Sequence, residues 1–128
     1  MKIAAIIARV LLGLTFLVFG LNGFLHFIPN QPMPPGLMSQ FLDAMVKSQY
    51  QTVVSFFEVV GAVPLLVGRY VPLGLTILGP IVVNILIFHF LLAPSGIPVA
   101  LVTAVLWLIV FIRVRRAFAG LFVQSAPE

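Results

Sequence analysis

The side chains that could do chemistry are few, and they lie in strongly apolar surroundings. The stretch FGLNGFLHFIP, residues 19–29, carries Asn22 and His26 among leucines, phenylalanines and isoleucines. Glu58 and Asn84 interrupt two later apolar runs. Ionisable groups inside a membrane helix cost about 2.5–3.5 kcal/mol on insertion scales and usually face the bundle interior or a wet cavity. We therefore expect these four residues to bind a ligand or a proton.

Helical spacing aligns the polar residues of the first run. Thr15, Asn22 and His26 fall at i, i+7 and i+11, which at about 100° per residue forms one stripe. Gly13 and Gly20 fall on the opposite face, where missing side chains permit close helix contact. We expect the stripe to face other polar groups and the glycine face to pack against a neighbouring helix.

A second polar stripe lies in the second apolar run. Gln51, Ser55 and Glu58 fall there at i, i+4 and i+7. Pro64 follows, and a proline leaves the carbonyl four residues earlier without its helical donor. We expect this stripe to face the inside of the bundle.

The third run carries Pro80, Asn84 and His89, and the fourth carries Thr103 and Trp107. Asn84 lies one turn beyond Pro80 and is expected to face the bundle. His89 is rotated by about 140° from Asn84, so the two share a face only if the helix bends after the proline. Trp107 lies too deep for an interfacial position, which favours packing inside the bundle.

Taken together, Asn22, His26, Glu58 and Asn84 are predicted to meet in one pocket. A buried carboxyl group takes up a proton, pairs with a cation or accepts hydrogen bonds, and an imidazole and two amides supply such partners. The alternative is that these polar groups only hold the helices together. Further candidates for the site are Thr15, Gln51, Ser55, Arg69, His89 and Trp107, and candidates for its walls are Phe16, Phe19, Phe56 and Phe88.

Several kinds of chemistry are excluded. The chain has no cysteine, which rules out disulfides, thiolate metal sites and thiol redox by the chain itself. His26, Glu58 and His89 are metal ligands by type, but their spacing is not diagnostic, so no metal site is predicted. No Ser-His-Asp set is present, because the remaining acids are Asp43 and Glu128, and no catalytic residue is assigned.

The composition indicates a membrane protein. The hydrophobic share is 62%, only 8% of the 128 residues are charged, and the mean hydropathy is +1.22. A soluble domain carries about 25% charged residues. The net charge of +4 comes from only seven Lys and Arg residues, which we interpret as topology markers, and no nucleic-acid binding is expected. The lipid bilayer is the solvent that suits this chain.

Four apolar runs are long enough to cross a bilayer, which takes about 20 residues. Helices are expected because strands would leave backbone groups unpaired in lipid. The first run is longer than the apolar part of a secretory signal, about 7–15 residues, and no cleavage site follows it, so we interpret it as a retained span. The short links predict one all-α domain, an antiparallel four-helix bundle. The predicted spans cover about 3–28, 50–67, 71–92 and 97–118.

A short amphipathic helix is predicted over about 36–48, between the first two spans. Apolar residues recur there at helical spacing, and Asp43 and Lys47 form an i,i+4 pair on the polar side. This helix either anchors the chain at the membrane surface or forms a lid over a cavity that opens outward.

Positive charge sets the expected orientation. The side that holds both termini carries six of the seven basic residues, and the other side carries only Lys47, so both termini are predicted to be cytoplasmic. Arg9 lies about two turns inside the first span, where it either extends to the interface or pairs inside the bundle. The six residues are Lys2, Arg9, Arg69, Arg113, Arg115 and Arg116.

Three phrases together resemble the DoxX-like family of small four-span bacterial membrane proteins. They are ARVLLGLTFLVFGLNGF, FFEVVGAVPLLVGRYVPLGL and GPIVVNILIFHFLLAPSG, and the resemblance covers most of the chain from about residue 9 to residue 96. The matching positions are Gly20 to Gly23, Glu58, Gly68 with Arg69, Pro80 with Ile81, and Asn84.

The resemblance implies a ligand class and a location. Members are linked to quinone-related redox and to oxidative stress, and one relative is a subunit of a thiosulfate:quinone oxidoreductase. It therefore implies a multi-pass protein of the bacterial inner (plasma) membrane, with a quinone as ligand or cofactor and a redox partner protein. Any thiol chemistry of such relatives must come from that partner here, since this chain has no cysteine.

Three functions stay open. The first is an accessory protein that binds a small apolar or quinone-like molecule in an outward-facing polar pocket. The second is a proton-coupled exporter of small hydrophobic compounds, which with only four spans needs a homodimer. The third is a purely structural membrane subunit. The sequence leaves open whether the protein is an enzyme.

Overall fold

The computed structural model describes residues 2–29 and 32–125, and all regular secondary structure in this part of the chain is helical. Short 3-10 segments cover Pro94–Gly96 and Arg115–Phe122. The predicted all-α class is confirmed, and four of the helices are long and apolar enough to cross a membrane. The five helices are α1 (Lys2–Leu25), α2 (Leu37–Lys47), α3 (Tyr50–Val67), α4 (Val71–Leu91) and α5 (Ile97–Val114).

The four long helices form a ring. α1 packs against α3 and α5, and α4 packs against the same two helices. Neighbours in this ring are one or three spans apart along the chain, so each neighbouring pair is antiparallel. The shared core is purely apolar at its centre, and most outward side chains are apolar as well, as expected of a bundle surrounded by lipid. The most deeply buried large side chains are Leu12, Phe16, Leu65, Leu75, Leu78 and Val110.

The two ends of the bundle differ in charge. The Arg69 end, defined by the start of α1, the α3–α4 turn and the end of α5, carries six of the basic residues. At the α2 end, α2 packs on α3, and Phe41 contacts Phe88 of α4 with ring centroids 5.6 Å apart. Lys47 at this end pairs with Asp43 at 3.0 Å, as the i,i+4 spacing predicts.

The face of α1 that carries glycines packs on α3, which confirms the role predicted for Gly13 and Gly20. A Cβ atom built at Gly13 would lie 2.8 Å from Leu66, and one at Gly20 would lie 2.8 Å from Val59. Real Cβ atoms do not come this close to their neighbours. The two helices therefore approach each other at a distance that only glycine permits.

The predicted first span extends to about Ile28, but α1 ends three residues earlier, at Leu25. His26 adopts a left-handed backbone with φ of 52°, and its N–H donates to the carbonyl oxygen of Asn22 at 2.8 Å. The side-chain oxygen of Asn22 then accepts the N–H of Ile28 at 2.7 Å. A left-handed residue of this kind is a common way to stop a helix.

Candidate ligand-binding site

A cavity of about 750 Å³ lies at the α2 end, between α2, α3 and α4. Its walls are mainly apolar, with Phe41 and Met45 from α2 and Ile81, Ile85 and Phe88 from α4. Polar groups enter at a few points only. They belong to Ser48, Tyr50, Gln51, Glu58 and Asn84.

Glu58, on α3, is the acidic residue that lines this cavity. Its side chain is only 7% exposed. A Cβ atom built at Gly20 of α1 would lie 3.1 Å from the Cβ atom of Glu58, so the stem of Glu58 rests on the glycine face of α1. In the described part of the chain, no donor or cation pairs with its carboxyl group. A buried carboxyl without a partner is costly unless it takes up a proton or meets a ligand group.

Asn84 lies at the open edge of the same cavity. Its side chain is exposed, and its Nδ2 donates to the carbonyl oxygen of Pro80 at 2.8 Å. That bond fixes the orientation of the amide and leaves its oxygen free of protein donors among the described residues. The structure thus brings Glu58 and Asn84 into one cavity without a direct hydrogen bond between them.

The polar stripe of α3 divides between two environments. Gln51 and Glu58 line the cavity, as the spacing predicts for residues of one stripe. Ser55 is fully buried and faces α1 instead, where a Cβ atom at Gly23 would lie 1.8 Å from its hydroxyl oxygen. Among the described residues, none forms a hydrogen bond with the hydroxyl group of Ser55. Ser55 therefore allows α1 and α3 to approach closely and does not line the cavity.

Asn22 and His26 do not join Glu58 and Asn84 in this cavity, contrary to the expectation of one shared pocket. Its walls come from α2, α3 and α4, with no residue of α1 among them. The physical reason lies in α1 itself. The glycine face packs on α3, so the polar stripe on the opposite face points away from Glu58. Asn22 and His26 instead form the hydrogen bonds that end α1.

The remaining candidate residues also lie outside the cavity. Thr15 donates to the carbonyl oxygen of Leu11 at 2.8 Å, and Arg69 is exposed in the α3–α4 turn. His89 lies 3.2 Å from the carbonyl oxygen of Ala93 and packs against Gly96. Trp107 is also absent from the cavity walls and instead bonds α4.

Polar contacts between the long helices are few. Arg9 of α1 donates to the carbonyl oxygen of Leu65 on α3, and Trp107 of α5 donates to that of Leu75 on α4 at 3.0 Å. Four other polar side chains in the spans bond the carbonyl four residues back on their own helix. They are Thr15, Thr76, Asn84 and Thr103.

Two residues of the cavity wall, Phe41 and Met45, were not assigned from the sequence. They line the cavity because α2 lies beside it, and this position of α2 favours a lid over a surface anchor. Of the phenylalanines expected in the walls, only Phe88 lines the cavity. The apolar face of α2 was the sequence signal for these wall residues, but the spacing of its residues did not show which helices that face would cover.

The site shows no metal-binding geometry within the described ranges, since no three His, Cys, Asp or Glu side chains come together there. Comparisons with protein-family models, curated proteins and solved structures give no match. The fold defines the class on its own: this is a helical protein with four candidate membrane spans. The feature of this bundle that could bind a ligand is the cavity lined by Glu58.

Proposed function

We propose that this protein binds a small, apolar, ring-bearing molecule such as a quinone in the cavity between α2, α3 and α4. It would act as an accessory subunit in redox or stress chemistry at the bacterial inner membrane. The observation that carries the proposal is the carboxyl group of Glu58, a largely buried residue that lines a large and mainly apolar cavity and has no hydrogen-bond partner among the described residues.

The size and lining of the cavity support this ligand class. Small-molecule sites are typically about 300–1,000 Å³ and combine apolar walls with a few polar groups, and the cavity here is about 750 Å³. Phe41 and Phe88 offer aromatic faces to a ring. The open side of the cavity borders the exposed, apolar surface of α4, so a lipid-dissolved molecule could enter from the membrane.

The polar groups suit a ring that carries oxygens. Glu58 would exchange a proton with a ligand oxygen, and the amides of Gln51 and Asn84 would orient it. Quinone reduction couples electrons to protons, so a proton-exchanging carboxyl group has a use in such a site. The two electrons that reduce a quinone to a quinol would come from a redox partner protein, and Glu58 would supply one of the two protons.

The orientation of the site follows from charge. Six basic residues lie at the Arg69 end, and the positive-inside rule would place that end, with both termini, in the cytoplasm. The cavity at the α2 end would then open toward the outer side of the membrane. α2 would cover its mouth as a lid.

The test is binding of a short-chain benzoquinone analogue to the protein in lipid nanodiscs. Glu58→Leu and Asn84→Leu should each weaken binding about tenfold, the effect of losing one hydrogen bond worth about 1.4 kcal/mol. Thr76→Val is the matched control, since Thr76 lies on α4 outside the cavity and bonds the carbonyl of Pro72. Undiminished binding by Glu58→Leu would refute the proposal.

The exporter is kept as the second candidate because both helices beside the cavity carry an interior proline. Pro64 lies within α3 and Pro80 within α4, and prolines inside helices are sites of bending. Efflux from vesicles that depends on a proton gradient, measured with the same analogue, separates this function from static binding. The purely structural role is less favoured, because among the described residues only Arg9 and Trp107 form side-chain hydrogen bonds between the long helices.

A further inference from the structure

A second cleft, of about 180 Å³, lies at the Arg69 end, on the opposite side of the bundle from α2. It is formed by the start of α1, the start of α4 and the end of α5. Three basic side chains line it, those of Lys2, Arg9 and Arg113. None of them contributes to the cavity that contains Glu58.

The positive charge of this cleft is not neutralised by the described residues. Asp43 pairs with Lys47 at the other end of the bundle, and Glu58 belongs to the other cavity. Glu128 lies outside the described residues. Arg9 is held in place by its hydrogen bond to the carbonyl oxygen of Leu65. An anion in the cleft would therefore meet three cations and no described acid.

The start of α4 adds to this preference. Val71, its first residue, lines the cleft, and no side chain caps this end of the helix. The first N–H groups of a helix lack partners within it, and the helix dipole favours an anion near them. Cationic side chains and a helix N-terminus together are a common setting for phosphate binding.

The rest of the lining is apolar and reaches the lipid. Ala5, Val110 and Val114 form walls, and Ile6 is 43% exposed on the outer surface of α1. A group that combines a phosphate with an apolar stem matches both parts of this lining. We propose that the cleft binds a phosphate-bearing anion, supplied either as the headgroup of an anionic phospholipid or as free phosphate.

The experiment measures phosphatidylglycerol retained by the purified full chain after exchange into phosphatidylcholine nanodiscs. Removing one cation that bonds the phosphate group should lower the affinity by at least about tenfold, the effect of losing one hydrogen bond between charged groups. We expect this loss for Lys2→Gln and for Arg113→Gln. Arg116→Gln, at the same end but outside the cleft, is the control and should retain the lipid.

A charge-neutral variant separates the cleft from the general basic surface. Ala5→Leu places extra atoms in the cleft without changing the charge, and should lower lipid retention while circular dichroism stays helical. The proposal is overturned if Ala5→Leu retains the lipid fully, or if Arg116→Gln loses as much as Arg113→Gln.

An arm with inorganic phosphate distinguishes the two sources. Displacement of the lipid by millimolar phosphate would support a site for the phosphate group itself, open to either source. Lipid retention that phosphate does not disturb would support the phospholipid headgroup as the ligand. Absence of binding to both the lipid and the phosphate would refute the site.

Discussion

The guanidinium group of Arg9 on α1 donates a hydrogen bond to the backbone carbonyl oxygen of Leu65 on α3. Leu65 is among the last four residues of its helix, whose carbonyls lack intrahelical donors. The cation also faces the negative end of the α3 dipole. Arg9 therefore both joins two helices and completes the end of one of them.

Replacing Arg9 should destabilise the bundle. We expect Arg9→Gln to lower the free energy of unfolding by about 1.5–3 kcal/mol, the range for hydrogen bonds to charged groups. Denaturation in detergent micelles followed by circular dichroism measures this. Arg69→Gln is the matched control, because Arg69 is exposed at the same end, and it should change stability by less than about 0.5 kcal/mol. Equal effects of both changes would contradict the assigned role.

Two glycines of α4 should respond differently to alanine. A Cβ atom at Gly74 would lie 2.7 Å from the carbonyl oxygen of Gly61 on α3, whereas one at Gly79 would make an ordinary 3.5 Å contact with Trp107. We expect Gly74→Ala to destabilise by about 1–3 kcal/mol through overpacking. Gly79→Ala should be neutral or stabilise by up to about 1 kcal/mol, since alanine favours helix. The same unfolding assay tests the pair, and a reversed order would refute the packing described for α3 and α4.

The single tryptophan makes two separable contacts, one to α4 and one within α5. Trp107 donates to the carbonyl of Leu75 on α4 at 3.0 Å, and its ring stacks on Phe111 of its own helix with centroids 5.3 Å apart. Trp107→Phe removes the hydrogen bond but keeps an aromatic ring, and should lower the unfolding free energy by about 0.5–1.5 kcal/mol. Trp107→Leu also removes the ring contact and should lower it by about 0.5–1.5 kcal/mol more. Equal stability of the two variants would show that the stacking contributes nothing.

The lid proposed for α2 depends on one aromatic contact. Phe41→Ala removes the ring that meets Phe88, so amide exchange over residues 37–47 should become faster. Binding of the benzoquinone analogue should weaken about tenfold, since an aromatic pair contributes about 0.5–1.5 kcal/mol beyond its buried area. Leu37→Ala is the control on the same helix, because Leu37 is 72% exposed and does not line the cavity. A matching loss in the control would remove the special role of Phe41.

The fold was predictable where apolar runs and periodicity act alone. The four spans, the amphipathic helix and the glycine face of α1 all follow from local pattern. The site was predictable only in part: Gln51, Glu58 and Asn84 line the cavity as expected, but a pattern shows which residues share a face and not which neighbour that face meets. Asn22 and His26 illustrate this: their role in ending α1 was signalled by Pro29, three residues beyond His26, since prolines commonly follow a helix end.

The exclusion of α1 from the cavity has an evolutionary consequence. Selection for a different ligand would act on the facing surfaces of α2, α3 and α4, while α1 would be constrained by its contacts with α3 and α5. Descendants of a common ancestor that diverged in ligand choice should therefore retain Gly13 and Gly20 and vary at Phe41, Met45 and Asn84. Exchanging α1 between two such proteins should leave ligand preference unchanged.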